Sequence, residues 1–223
     1  MKLSVKYLLV LIGITLVASC KEDNLVSSHD AEKSMTVSFL LRTDADEEVK
    51  TRAISDGKSV DKLCFAVFSE NGDVIVPKTW NSGISSITSA GGTSLLITLP
   101  YGKRYKAVFW AQSSRCGTYD TSDLKHIKME CDTLPLTLGE AECKDAFVYV
   151  WKDFHMDRDM TQRRLTLYRP VAQVNAGRVS GAAAAALTLC GLPDTFNTFD
   201  GTASGEKDFT WTFPNPEVEQ TME

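Results

Sequence analysis

Asp153, His155 and Asp157 alternate within the densest group of titratable residues, Asp153-Phe154-His155-Met156-Asp157-Arg158-Asp159. On an extended backbone the three share one face, a donor set that can hold a divalent ion. The stretch lacks the glycine and distal glutamate of a calcium loop, so a solvated hairpin tip is the plainer reading. The remaining histidines are His29, in a polar segment read below as a tether, and His126, in a segment read below as helical. No Gly-x-Ser-x-Gly elbow or phosphate-binding glycine loop occurs, and nothing joins Ser, His and Asp into a triad. These residues predict no enzyme, no cofactor and no metal. Aromatic chemistry is the other candidate: Trp80 stands beside the Asn81-Ser82-Gly83 turn, placed to stack on a surface glycan. Trp110 and Trp151 fall in predicted strands and read as core.

Cys20 is the residue with the most specific covalent chemistry. Lys2 and Lys6 precede an apolar run from Tyr7 to Val17, and Val17-Ala18-Ser19-Cys20 ends it with small residues before a cysteine. That run is shorter than the ~20 residues a membrane-spanning helix needs, and a removable export segment explains it better. The ending resembles the bacterial lipobox, which implies cleavage of residues 1–19 and acylation of Cys20. Two acyl chains would give stable anchoring to the outer membrane. Lys21-Glu22-Asp23 resembles the Lys-plus-acids signal that sends Bacteroidota lipoproteins to the cell surface. The polar residues that follow, with positions 20–34 as a whole, read as a flexible tether.

The other cysteines are Cys64, Cys116, Cys131, Cys143 and Cys190, an odd number for an exported chain. Cys64 sits in an apolar run and reads as a buried small hydrophobe. Cys116 with Cys131, or Cys131 with Cys143, are the candidate bridges. No CxxC or CxxH pair suggests zinc. A formal net charge of −5 makes nucleic acid a poor partner.

The elements that must position these residues read as β. Val37, Phe39 and Leu41 alternate with Ser38, Leu40 and Arg42, the period of a half-buried strand. Leu63, Phe65 and Val67 repeat it, and Asn71-Gly72 predicts a tight hairpin to Val74–Val76. Pro77 confines that return strand to an edge or an end. Further strands are expected over Ser94–Leu99, Tyr105–Gln112, Phe147–Trp151 and Arg164–Val174. Thr121–Met129 is the one short-helix candidate, with Asp120 as its cap. Short strands punctuated by Gly, Pro and Asn make an all-β sandwich.

Several blocks together resemble the Bacteroidota fimbrillins, the subunits of donor-strand pili, and related fimbrillin-like lipoproteins. They are Lys50-Thr51-Arg52-Ala53, Val60–Phe68 with its Asn71-Gly72 hairpin, Gly102–Ala111, Lys144–Phe147, Leu167–Asn175 and Leu192–Gly201. The resemblance implies a transthyretin-like Greek-key sandwich over residues 35–176. In several members an Arg-specific protease cuts behind the first strand, and a strand from another subunit fills the groove. Arg52 matches the cut position, and Val37, Phe39 and Leu41 match the groove-filling side chains. Full fimbrillins continue through a second sandwich, whereas residues 177–223 supply only part of one or a C-terminal extension. The implied roles are a pilus anchor, an accessory subunit or an adhesion protein, with other fimbrial subunits as partners. A glycan- or ligand-binding surface lipoprotein is the alternative. If Arg52 is cut, the lipid stays on the discarded piece; if not, Cys20 holds the protein as an anchor.

Overall fold

The computed structural model describes residues 33–43, 57–82, 84, 92–130, 143–157, 160–170, 174–176, 185–213 and 220–222. Its first strands are β1 (Ser34–Thr43), β2 (Lys62–Ser69), β3 (Val74–Ser82), β4 (Thr93–Pro100) and β5 (Arg104–Gln112). Next come β6 (Tyr119–Asp120), β7 (His126–Met129), β8 (Ala146–His155), β9 (Gln162–Leu167) and β10 (Val174–Ala176). The last are β11 (Ala185–Leu192), β12 (Thr195–Asn197), β13 (Thr202–Ser204), β14 (Lys207–Phe213) and β15 (Gln220–Met222).

The fold is an all-β sandwich built around a four-stranded central sheet, β3-β2-β5-β8. One face packs on an outer sheet, β4-β1-β9, and the other is covered by a small sheet, β13-β12-β7-β6. Side chains of β2 show the division. Leu63, Phe65 and Val67 enter the first core with Phe39, Phe109 and Leu165. Cys64, Ala66 and Phe68 enter the second with Trp110, Leu124 and Ile127. All six β2 residues from Leu63 to Phe68 are therefore buried, where period-two alternation predicted one wet face. A strand covered on both sides is apolar at consecutive positions.

Local chemistry accounts for several of the boundaries. Gly72 takes φ +90° in the β2–β3 turn, a conformation that favours glycine, and its N–H donates to the Ser69 carbonyl at 3.0 Å. β3 is an edge strand, and the pairing register slips beside Pro77, between Phe65 and Val67. Proline cannot donate to a ladder, so an edge with a bulge is where it fits.

The expected helix over Thr121–Met129 does not form. The Asp120 carboxylate accepts the Ser122 N–H and Asp123 accepts the Lys125 N–H, both at 2.8 Å. These are Asx turns, which divert the backbone from a helix. β-branched Ile127 then lies in β7, a strand of the covering sheet, with its side chain buried in the second core. The expected strand Arg164–Val174 also divides. β9 ends at Leu167, Tyr168 bridges to Val148 of β8, and Pro170 follows.

β11 pairs with β14 and β12 with β13, so residues 185–213 form an antiparallel ribbon with a register shift between Leu189 and Leu192. Its tip pairs with β7 through Thr195↔Lys128 and Asn197↔His126. Phe196 and Phe199 thereby close the second core.

Candidate functional site

β1 is the middle strand of the outer sheet, so both of its edges are occupied. It runs antiparallel to β4, with Phe39 opposite Leu95, and parallel to β9, with Leu41 opposite Leu165. The Ser38 N–H donates to the Thr161 carbonyl at 3.0 Å, extending the β9 side. Alternation then sends Val37, Phe39 and Leu41 inward, and all three are fully buried. Ser38, Leu40 and Arg42 take the opposite face.

The slot that holds β1 has an aromatic floor. The Phe39 ring lies 5.5 Å from Phe109 and meets Trp151 edge-on at 6.2 Å. Phe109 in turn stacks on Phe65 at 6.4 Å. Edge-to-face and offset pairs add to the ~1.5–3 kcal/mol gained by burying each such side chain. Gly92, at φ +63°, passes so close to β1 that a Cβ would overlap the Leu41 carbonyl oxygen. At the strand's end the Thr43 hydroxyl is buried, with no hydrogen-bond partner among the described residues. β1 thus fills a strand-shaped slot between two hydrogen-bonding walls, β4 and β9.

The other expected site residues fare differently. Cys20, Lys21, Glu22, Asp23, Arg52 and Cys131 lie outside the described residues. Trp80 is half-buried in β3 rather than displayed on a turn; it packs on the second core with the Lys62 ammonium 3.9 Å over its ring. Asp153 pairs with Arg104 at 2.6 Å, while His155 pairs with Asp157 at 3.0 Å. Among the described residues no three His, Cys, Asp or Glu groups converge as a metal site would require.

The bridge joins Cys116 to Cys143, neither of the two pairings the spacing suggested. β5 and β8 pair antiparallel with Gln112 opposite Ala146, which brings the loop after one strand to the entry of the other. The two Cα atoms lie 5.7 Å apart, within disulfide range. Cys64 is buried as expected, and burial pushes its thiol up to about 12 against the pull of Lys78 and Lys62. Such a thiol is inert at neutral pH. Cys190 is free and exposed on the ribbon.

One feature escaped the sequence reading. Asp145, only 2% exposed, takes a two-pronged pair from Arg169, with Nε–Oδ1 at 2.9 Å and Nη2–Oδ2 at 3.0 Å. The guanidinium also lies 4.8 Å over the Phe147 ring. An acid placed directly before the apolar run Ala146–Val150 was the available signal.

A model of a family of unknown function, DUF6562, matches residues 28–221. No curated protein matches the sequence. Among solved structures the chain is similar to a candidate adhesin of Bacteroides ovatus, at 12% identity and a TM-score of 0.51. That match covers 83% of this chain and 64% of the other. It is also similar to the fimbrial anchor protein of Porphyromonas gingivalis, at 11% identity and a TM-score of 0.49, covering 80% and 66%. A fimbrial assembly protein of Parabacteroides distasonis gives 11% and 0.41, covering 81% and 76%. The chain thus spans about two thirds of the length of the first two. At these identities the likeness bears on fold alone.

Proposed function

We propose that this chain, which belongs to the DUF6562 family of unknown function, is a non-catalytic, surface-anchored fimbrillin-like lipoprotein that works by β-strand complementation. The observation that carries this reading is the position of β1. A first strand paired on both edges, with Val37, Phe39 and Leu41 fully buried, would leave a complete acceptor slot on departure. Main-chain groups on β4 and β9 would then supply affinity, and the alternate pockets would supply register. The fold likeness to a candidate adhesin and the sequence blocks that resemble those of fimbrillins support the same reading.

In this reading a lipid on Cys20 holds the protein to the outer membrane, and Lys21, Glu22 and Asp23 direct it to the cell surface. Arg52 is where an Arg-specific protease would separate β1 from the body. The role is a pilus anchor or accessory subunit, or an adhesion protein, with other fimbrial subunits as partners.

The experiment is treatment of the mature protein with an Arg-specific protease. A defined cut after Arg52, followed by strand-exchanged oligomers, is the expected result. A chain that stays intact and monomeric would sink the polymerising role. Retention on a polysaccharide column that is lost on Trp80→Ala would favour glycan binding instead.

A further inference from the structure

β9 is one wall of the β1 slot, and its C-terminal end is tied to the body by a short chain of bonds. At Tyr168 the backbone leaves the outer sheet and joins the central one: the Val148 N–H donates to the Tyr168 carbonyl at 2.8 Å, and the Tyr168 N–H returns to Val148 at 2.9 Å. The next residue, Arg169, is held by the buried Asp145 carboxylate on both prongs. Asp145 in turn follows Cys143 by two residues, and the Tyr119 hydroxyl fixes the intervening Lys144 carbonyl at 2.9 Å.

The other half of the bridge, Cys116, belongs to a loop fastened to β2. Ser114 donates both its N–H and its hydroxyl to the Asp61 carboxylate, each at 2.7 Å, just before β2 begins. The connection therefore runs from the central sheet through Cys116–Cys143 to Asp145, then to Arg169 and β9. It meets β9 beside Thr43, the end of β1 that leads toward Arg52.

We infer that Cys116–Cys143, Asp145 and Arg169 form a redox-controlled clasp that holds β9 in place as a wall of the β1 slot. A dithiol reductant would deliver two electrons and two protons to the bridge, opening it to two thiols while forming its own disulfide. Cys143 then loses its covalent tie to the β2 anchor, which removes one of the restraints on the segment carrying Asp145. A buried carboxylate that shifts leaves Arg169 without its two-pronged partner, a costly state for the pair. The crossover at Tyr168 loosens, and with it the wall that β1, or a strand replacing it, must pair with. Asp145 and Arg169 are positioning residues here, acting through β9.

Amide hydrogen exchange on the full, uncut protein tests this. On adding a dithiol, exchange at Val148 and Tyr168 is expected to rise at least tenfold. Phe65 and Val108, deep in the central sheet, are expected to stay within twofold. Asp145→Asn should give the same pattern without reductant, and a Cys116→Ser/Cys143→Ser chain should show it with no further response to dithiol. Bridge amides that stay within twofold of the oxidised protein would overturn the clasp. A rise shared equally by Phe65 and Val108 would overturn it too, since that is general loosening. The consequence for strand replacement rests on the function proposed above. Because exchange is read on the uncut chain, a failure to cut at Arg52 would sink that function and leave the clasp standing.

Discussion

Phe39 and Leu96 are apolar residues on paired strands, yet Phe39 is fully buried and Leu96 is 68% exposed. The pleat alone separates them: Phe39 faces Phe109 and Trp151, while Leu96 lies opposite Ser38 on the outer face. Truncating a buried Phe removes its transfer energy and leaves a cavity, so Phe39→Ala should cost about 3–5 kcal/mol. Leu96→Ala should fall within about 0.5 kcal/mol of the parent. Denaturant unfolding of the two variants checks this, and equal losses would contradict the placement of β1. The inward residues of β1 were legible because strand periodicity depends on neighbours two apart. The Asp145–Arg169 pair was not, because its members stand 24 positions apart and meet only through the β9 crossover. The Cys116–Cys143 bridge was hidden for a similar reason: the β5–β8 register decides it, and spacing does not carry that register.

The segments that join and cover the strands depend on short polar turns, and acid should reach these first. The Asp120 carboxylate is held below its ordinary value by the Ser122 N–H, then by the Ser122 hydroxyl. Asp200, at the ribbon tip, is held down by the Thr202 hydroxyl and then by its N–H. A carboxylate depressed in the fold contributes stability that is full above its unfolded value, near 4, and is lost as pH falls through the folded value. Both groups are solvent-exposed, so the contribution is small and local. The Ser122 and Thr202 amide resonances are therefore expected to hold steady between pH 7 and 5 and to shift below about pH 4. Asp120→Asn and Asp200→Asn should abolish the respective shifts, and movement near pH 6 would contradict the assignment. The same turns explain what the sequence reading of Thr121–Met129 missed. Asp120 does accept a nearby N–H, as a cap would, but Asp123 repeats the bond three residues later and turns the chain into β7. Strand existence was readable from alternation, whereas the double burial of β2 depends on a covering sheet whose strands come from residues 119–129 and 195–204.

At the scale of the molecule, two cores share one central sheet, and β1 contributes to only the first of them. Removing β1 strips three fully buried side chains, together worth about 5–9 kcal/mol at the usual value for each. A folded domain holds only about 5–15 kcal/mol in total, so the body without β1 should be close to the limit of stability. The covering sheet cannot make up the difference, since none of its side chains reaches the slot floor. A chain beginning after Thr43 is thus expected to bind hydrophobic dye and to unfold without a sharp transition. A peptide of residues 34–43 added in trans should restore a cooperative transition, because it returns both hydrogen-bonded edges and all three inward side chains. The same peptide carrying Phe39→Ala should restore it at tenfold or more higher concentration, as about 3–5 kcal/mol of the contact is gone. Denaturant unfolding at a series of peptide concentrations reads both effects. A truncated chain as stable as the parent, or one indifferent to the peptide, would mean that the slot does not need a strand.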